Sequence, residues 1–440
     1  MLVLEPEWVL TEDGLRTGVC VEVDSNRIVG LKSTERHPEP VVRLPGKLLL
    51  PGFVNAHSHA FQRAFRGHVQ WKPAGRDDFW SWRDRMYAVA NGLSEAGVFA
   101  VSRLAFLEMA EAGITQVGEF HYLHHQPDGS HYGDPDALAR RVIDAALDVG
   151  IRICLLRVAY ARNGPNLPLR DDQRRFGDRS PLEALDALER LGDIRDPRVT
   201  LGLAPHSVRA LSAEALSALA GTDGPVHAHV SEQPAEIEGS YAEHGRSPLQ
   251  VLADAGLVNE RFVAVHLTHP EPADLDILDA TGAAICVCPS TELDLGDGFL
   301  PVEARTRRLC LGTDSHAEID MLSEARSLEL HARALAGRRN VLSPEGEPDG
   351  LARLLLEAAT RNGGAALGAE GRGIGVGAPA DLVAIDLART AAFGAPPLQA
   401  AVFNGTSDWV SDVWVGGQSV VRDGVHPKRE EILDAARCHL

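Results

Sequence analysis

The pattern of apolar and polar positions changes character twice along this chain. Up to about residue 48, apolar and polar residues alternate in short stretches broken by turn formers. Gly18–Val23 alternates, Asp24-Ser25-Asn26 turns, and Arg27–Gly30 alternates again. That period predicts short strands. From about residue 49, continuous apolar runs take over: Leu48–Val54, Ile114–Phe120, Ile151–Val158, Val199–Leu203, Val226–His229, Phe262–His266, Ala283–Val287 and Leu309–Gly312. Between them lie Ala- and Leu-rich stretches with helical spacing, among them Asp136–Val149, Pro181–Arg190, Ala213–Ala220, Pro248–Ala255 and Glu271–Ala280. Strands that are apolar on both faces and alternate with helices belong in a parallel sheet. Eight such units predict a closed barrel. After a helical region around 347–368, short strands return at Leu382–Ile385, Ala400–Phe403, Val410–Val415 and Gln418–Val421.

The predicted class is therefore α/β. A TIM-like (β/α)8 barrel spans 49–375, and a small β domain combines 1–48 with 376–427. Residues 428–440 form a C-terminal helix in this reading.

Charge narrows the function. The 62 Asp and Glu residues outnumber the 43 Lys and Arg, for a formal charge of -19. A nucleic-acid binder needs the opposite balance, so no nucleic-acid partner is expected. A small anionic ligand remains compatible, because a local arginine pair outweighs a diffuse negative field. No apolar run is long enough to span a bilayer, and the first residues lack a basic, then apolar, export signal. A cytoplasmic protein with no membrane partner is expected. The six cysteines show no dense spacing, which fits reduced thiols.

The chemistry gathers at the C-terminal ends of the predicted barrel strands, the face where barrel enzymes build their sites. Five polar sites fall there: Asn55-Ala56-His57-Ser58-His59, Ala204-Pro205-His206 with Arg209, His227-Ala228-His229 with Glu232, Val265-His266 with His269, and Thr313-Asp314-Ser315-His316. In an extended chain residues two apart face the same way, so His57 and His59 point to one centre. Each signal alone reads as structural: a strand-end histidine held by a hydrogen bond, or an aspartate capping a helix. Together they place imidazoles and a carboxylate at one face, a donor set that suits Zn²⁺ with one position left for water.

On these motifs the chain resembles the amidohydrolase superfamily, over nearly its whole length. Pro51–His59 looks like the family's first-strand metal motif, and Gly377–Asp386 like its return into the β domain. The resemblance implies one divalent metal ion, Zn²⁺, held by His57, His59, His229 and Asp314. Two-metal members carry a lysine on strand four. Taking that strand as Ile151–Tyr160, no lysine is present, which favours one ion. The resemblance further implies that Asp314 takes the proton of the attacking water, His266 steadies that water, and Glu232 carries a proton to the substrate nitrogen.

Within the superfamily, Gln62, Arg83, Tyr122, His206 and Arg209 resemble the substrate-binding set of the branch that acts on a formimino dicarboxylate. That branch converts N-formimino-L-glutamate and water to N-formyl-L-glutamate and ammonia in histidine degradation, and it implies a homodimer. Alternatives stay open. Phe79, Trp80 and Trp82 suit a guanine- or adenosine-type aminohydrolase, the same metal site serves cyclic-amide hydrolysis of the imidazolonepropionase kind, and a non-enzymatic scaffold is a further reading. His124, His125 and His131 read as solvated or lid residues, His269 and His316 as orienting groups, and the loop from Arg162 to Arg179 as a lid.

Overall fold

A computed structural model describes residues 1–34, 41–72, 75, 77–369 and 373–440. Eight parallel strands follow one another around a barrel: Phe53–Ser58, Ile114–His121, Arg152–Ala159, Val199–Pro205, Val226–Val230, Phe262–His266, Ala284–Val287 and Leu309–Leu311. Most are buried along their whole length, as the continuous apolar runs require.

The barrel closes at the seam that carries the chemistry. Ser58 and Asp314 form a parallel bridge, and the carbonyl of His57 accepts from the amides of Thr313 (3.1 Å) and Asp314 (3.0 Å). Gly312 permits this approach, since a Cβ there would sit 2.7 Å from the Cβ of His57 and 2.9 Å from its carbonyl oxygen. First and last strands are thus tied together through the backbone of two predicted ligands, His57 and Asp314, and their neighbours.

A second sheet joins both ends of the chain. Its strands, in spatial order, are Gln418–Val421, Val410–Val415, Leu382–Asp386, Val42–Pro51, Leu2–Thr11, Val19–Asp24 and Arg27–Ser33, with Gly14–Arg16 beside Leu2–Thr11. The join is Val42–Pro51 lying antiparallel to Leu382–Asp386, with Leu50 opposite Val383. The chain ends in a helix over Arg429–Arg437.

Three details differ from the sequence reading. The run Leu48–Val54 is not one barrel strand. It divides at Gly52, whose missing side chain leaves room for Thr115, so that Leu48–Pro51 serve the small sheet and Phe53 onward the barrel. Ala400–Phe403 is helical, within Pro397–Asn404. Pro397 occupies the first turn and Gly405 follows the last, the start and stop signals of a helix, whereas a four-residue apolar run has no period of its own. The segment Ile151–Tyr160 is the third barrel strand, not the fourth. The fourth, Val199–Pro205, also holds no lysine.

Outside the barrel wall, His121, His124 and His125 pack under the segment 162–179. His124 and His125 are buried, not solvated. His125 Nε2 donates to the carbonyl of Gly177 at 3.0 Å, and His124 Nε2 accepts from Arg157 Nη1 at 2.6 Å, while His131 alone is exposed. Burial, with the Arg157 guanidinium nearby, drives the His121 imidazole down to about 3. A histidine kept neutral in the fold and free to protonate when unfolded stabilises the protein fully above pH ~6.5, and that stability falls as pH drops toward the folded value. For a group 3% exposed this is on the order of a few kcal/mol. The midpoint of thermal unfolding is expected to fall between pH 6.5 and 4, and less steeply in His121→Asn. Equal slopes in both proteins, read by calorimetry, would remove His121 from the account.

Candidate metal centre and active site

Four of the predicted residues converge at the barrel mouth. Ligand atoms of His57, His59, His229 and Asp314 all lie within 4.8 Å of one another, and all four side chains are buried. Asp314 Oδ1 is 3.2 Å from His57 Nε2 and 3.1 Å from His59 Nε2, and the Nε2 atoms of His57 and His229 are 3.2 Å apart. The local backbone is bent to achieve this. Ser231, His266, Asp314 and His316 have φ of 49°, 69°, 44° and 61°, the left-handed region that non-glycine residues avoid unless their surroundings hold them.

The donor set fits a divalent cation. His59 Nδ1–H donates to the carbonyl of Phe120 (3.0 Å), and His229 Nδ1–H to that of His206 (3.2 Å). With those protons committed, the neutral rings present bare Nε2 lone pairs to each other and to a carboxylate. Such atoms repel at ~3 Å unless a positive charge lies among them. Burial also drives the His57 imidazole down to about 3 and holds His229 well below its ordinary value, disfavouring extra protons as that charge. Three imidazole nitrogens and one carboxylate oxygen are the ligands a zinc-type ion accepts, and carbonyls fixing Nδ1–H are the usual way of aiming Nε2.

His266, from the sixth strand, stands just behind. Its Nε2 is 3.9 Å from Asp314 Oδ2 and 3.8 Å from Glu232 Oε1, and its Nδ1 is 3.4 Å from Glu292 Oε1. Burial opposes a charge on this ring, but Glu232 and Glu292 together push it up to about 10. Glu232 is only 5% exposed. Its Oε2 accepts from Arg209 at 3.1 Å, and its backbone amide donates to Glu236 Oε2, also at 3.1 Å.

A cavity of about 580 Å³, including space open to solvent at its mouth, lies in front of these groups. Its walls bring together all five residues expected to bind substrate: Gln62, Arg83, Tyr122, His206 and Arg209. Gln62 Nε2 donates to the Tyr122 hydroxyl at 2.8 Å. His206 packs edge-on to Tyr122 and Tyr160. Arg83 lies 4.6 Å from the centre of the Trp80 ring, and Arg209 5.5 Å from that of Phe79.

Of the two histidines read as orienting groups, His316 bonds Thr313 Oγ1 (3.0 Å) and Ser58 Oγ (3.2 Å), inside the seam, while His269 donates to the Asp297 carbonyl (2.8 Å). Sequence reasoning missed Tyr87, Tyr160 and Asn163 on the cavity wall, and Glu292 beside His266. Glu292 had a usable signal: Cys288-Pro289-Ser290-Thr291-Glu292 directly follows the seventh strand, on the same barrel face. Tyr160 had the same signal, since it directly follows the third strand, whereas Tyr87, in the helix Phe79–Gly92, had none of that kind. The segment 162–179 begins on the cavity wall, where Arg162 and Asn163 line it, and its later part is built into the protein. Gln173, Arg175 and Phe176 are fully buried, and Asp178 pairs with Arg157 at 2.6 Å.

Comparison with known proteins agrees with this construction. Residues 48–420 match the amidohydrolase family. A formimidoylglutamate deiminase of Pseudomonas aeruginosa is 36% identical over 438 residues, covering 96% of this chain and 95% of that one. A 5-methylthioadenosine/S-adenosylhomocysteine deaminase of Halobacterium salinarum is 30% identical over 87% of this chain and 82% of its own. The crystal structure of an adenosine deaminase from Xanthomonas campestris with bound zinc superposes with a TM-score of 0.84 at 26% identity, covering 100% of this chain and 97% of that one. No helix among the described residues is long and apolar enough to cross a membrane. From the match over most of its length, the barrel and the convergent cluster at its mouth, the chain belongs to the amidohydrolase family, metal-dependent enzymes, and is a hydrolase acting on C–N bonds.

Proposed function

We propose that this enzyme hydrolyses the C=N bond of N-formimino-L-glutamate, releasing ammonia and N-formyl-L-glutamate. One observation carries the substrate class. Arg83 lines the cavity with no carboxylate partner among the described residues, in a chain where acids outnumber bases. It is held instead by the Trp80 face, which leaves its charged edge for a ligand. A half-buried cation without a protein anion is a site for an anion brought by the substrate. Arg209 on the same wall is ion-paired with Glu232 at 3.1 Å, but its other terminal nitrogen has no protein partner among the described residues and offers a second donor. The P. aeruginosa relative supports the same reading.

His57, His59, His229 and Asp314 would hold the ion, for which zinc is proposed. When bound, it lowers the pKa of water toward ~7 and so makes a nucleophile available at neutral pH. The protein's own groups do the rest. Asp314 takes the proton of the attacking water. His266 steadies the oxygen as it reaches the formimino carbon. Glu232 gives a proton to the imino nitrogen; the proton held by Asp314 then passes to the same nitrogen and the hydroxyl proton on the former imino carbon returns to Glu232, so that the C=O forms, ammonia leaves and both carboxyl groups end as they began. Gln62 and Tyr122 orient the chain of the substrate, while His206, Arg83 and Arg209 receive its carboxylate end.

A purine aminohydrolase is the second reading, favoured by Phe79 and Trp82 on the cavity wall and by the H. salinarum relative. Ammonia release from N-formimino-L-glutamate, adenosine and guanine separates the two. Arg83→Met is expected to lower kcat/KM for the formimino acid about 10- to 100-fold, the worth of a hydrogen bond to a charged group, and to leave any purine activity unchanged. Ammonia from purines alone would replace the first reading with the second. A homodimer and a cytoplasmic location belong to the same proposal by likeness.

A further inference from the structure

The segment 162–179 carries a buried glutamine with a fixed orientation, and it faces the cavity wall. Gln173 is 0% exposed. Its Oε1 accepts from the Arg170 backbone amide at 3.0 Å, which decides which end of the side-chain amide points where. Its Nε2 then faces three oxygens: Asn163 Oδ1 at 2.8 Å, the Tyr160 hydroxyl at 3.0 Å and the Tyr87 hydroxyl at 3.1 Å. The two hydroxyls are 3.1 Å apart.

Counting hydrogens settles the polarity. An amide nitrogen has two hydrogens, and the Asn163 oxygen can only accept, so it takes one of them. The other is shared by the phenol oxygens. One phenol donates to its neighbour. The last phenol proton finds no acceptor in this group, and no other acceptor bonds either hydroxyl among the described residues. Both rings line the cavity with Arg83 and Arg209, so that is where the proton is free to point. Burial holds the Tyr160 phenol well above its ordinary value, hence neutral and able to donate.

We propose that Gln173 is a positioning residue: it makes the Tyr87–Tyr160 pair present a hydroxyl proton to a substrate carboxylate, as a third donor beside Arg83 and Arg209. This deepens the proposed function and rests on it for the substrate's identity. It also gives the buried segment a role that its place away from the metal cluster would not reveal.

Gln173→Glu tests it. The replacement has the same shape and can still accept from Arg170, but it offers the phenols an acceptor and draws their protons away from the cavity. KM for N-formimino-L-glutamate is expected to rise about 10- to 100-fold with kcat within about threefold, because the lost contact serves ground and transition states alike. The Tyr87→Phe/Tyr160→Phe double variant should show the same rise, and adding Gln173→Glu to it should add nothing. Additive effects, an unmoved KM in the phenylalanine variant, or a fall in kcat and stability at constant KM would overturn the proposal.

Calorimetric binding of glutarate, a dicarboxylate without the formimino group, separates this from the functional reading. If the wild-type enzyme does not turn over the formimino acid but binds glutarate, with Kd raised by Gln173→Glu, the deiminase reading fails and the cradle stands. If wild type does not bind glutarate, the cradle falls.

Discussion

Replacing Glu232 by Gln is expected to cut turnover about 10²- to 10⁴-fold, the usual worth of a positioned acid–base group, while leaving bound metal and stability close to wild type. The asymmetry follows from where the side chain sits. Its carboxylate lies within 4 Å of His266 but outside the four-ligand cluster, so metal content should not depend on it. The amide oxygen of Gln can keep the 3.1 Å contact from Arg209, and the Glu236 carboxylate receives the backbone amide, not the side chain. What the amide cannot do is take up a proton and give it back. Ammonia release under saturating substrate and metal per chain by atomic spectroscopy are the two measurements. A variant with full rate and full metal would take Glu232 out of the proton path and leave Asp314 to carry it. A variant that loses metal as well would mean Glu232 supports the cluster.

The candidate cluster and the histidine behind it were legible in the sequence for a physical reason. A strand buried on both faces tolerates polar residues only where it emerges, so His57, His59, His229, His266 and Asp314 stand out as interruptions at the ends of apolar runs. The (β/α)8 order was legible because apolar runs alternate with helical stretches, even where these are as short as Ala213–Ala218 and Pro289–Leu295. The split at Gly52 was not. The chain there passes from one sheet to another without leaving extended geometry, and only the Thr115 side chain across from the missing Cβ marks the change. Nor was the helix at Pro397–Asn404, whose four central apolar residues fit either period until the flanking Pro and Gly are weighed.

His124 and His125 failed for a different reason. Their polar neighbours in sequence suggest a solvated loop, but the segment that covers them, and the carbonyl that His125 reaches, come from about fifty residues further along. The Gln173 network is the same problem at larger scale. Residue 87 lies in a helix, 160 and 163 in the loop after the third strand and 173 in a short helical turn, and no local pattern says that a glutamine amide and two phenols will share one cavity wall. Strand-end chemistry can be read locally, whereas walls built by convergence of separate segments cannot.

Removal of the metal is expected to abolish turnover and to lower the thermal midpoint, with both restored by adding zinc back. The two effects have one origin. In the metal-free protein the bare Nε2 atoms of His59 and His229, fixed by their Nδ1–H bonds to backbone carbonyls, are left facing the Asp314 carboxylate and the His57 ring within about 3 Å. That repulsion falls on the barrel seam, where His57 and Asp314 also join the first strand to the last. A ligand bound only by the folded state stabilises it by about 4 kcal/mol when present at a thousand times its dissociation constant, so the shift in midpoint should grow with free zinc. Chelator dialysis followed by calorimetry and ammonia assay across a zinc titration measures both. If activity survives chelation with under a tenth of an ion per chain, the cluster is structural and the attacking water must be activated by Glu232 and His266 alone. A midpoint that stays fixed while activity disappears and returns would place the ion elsewhere than at the seam.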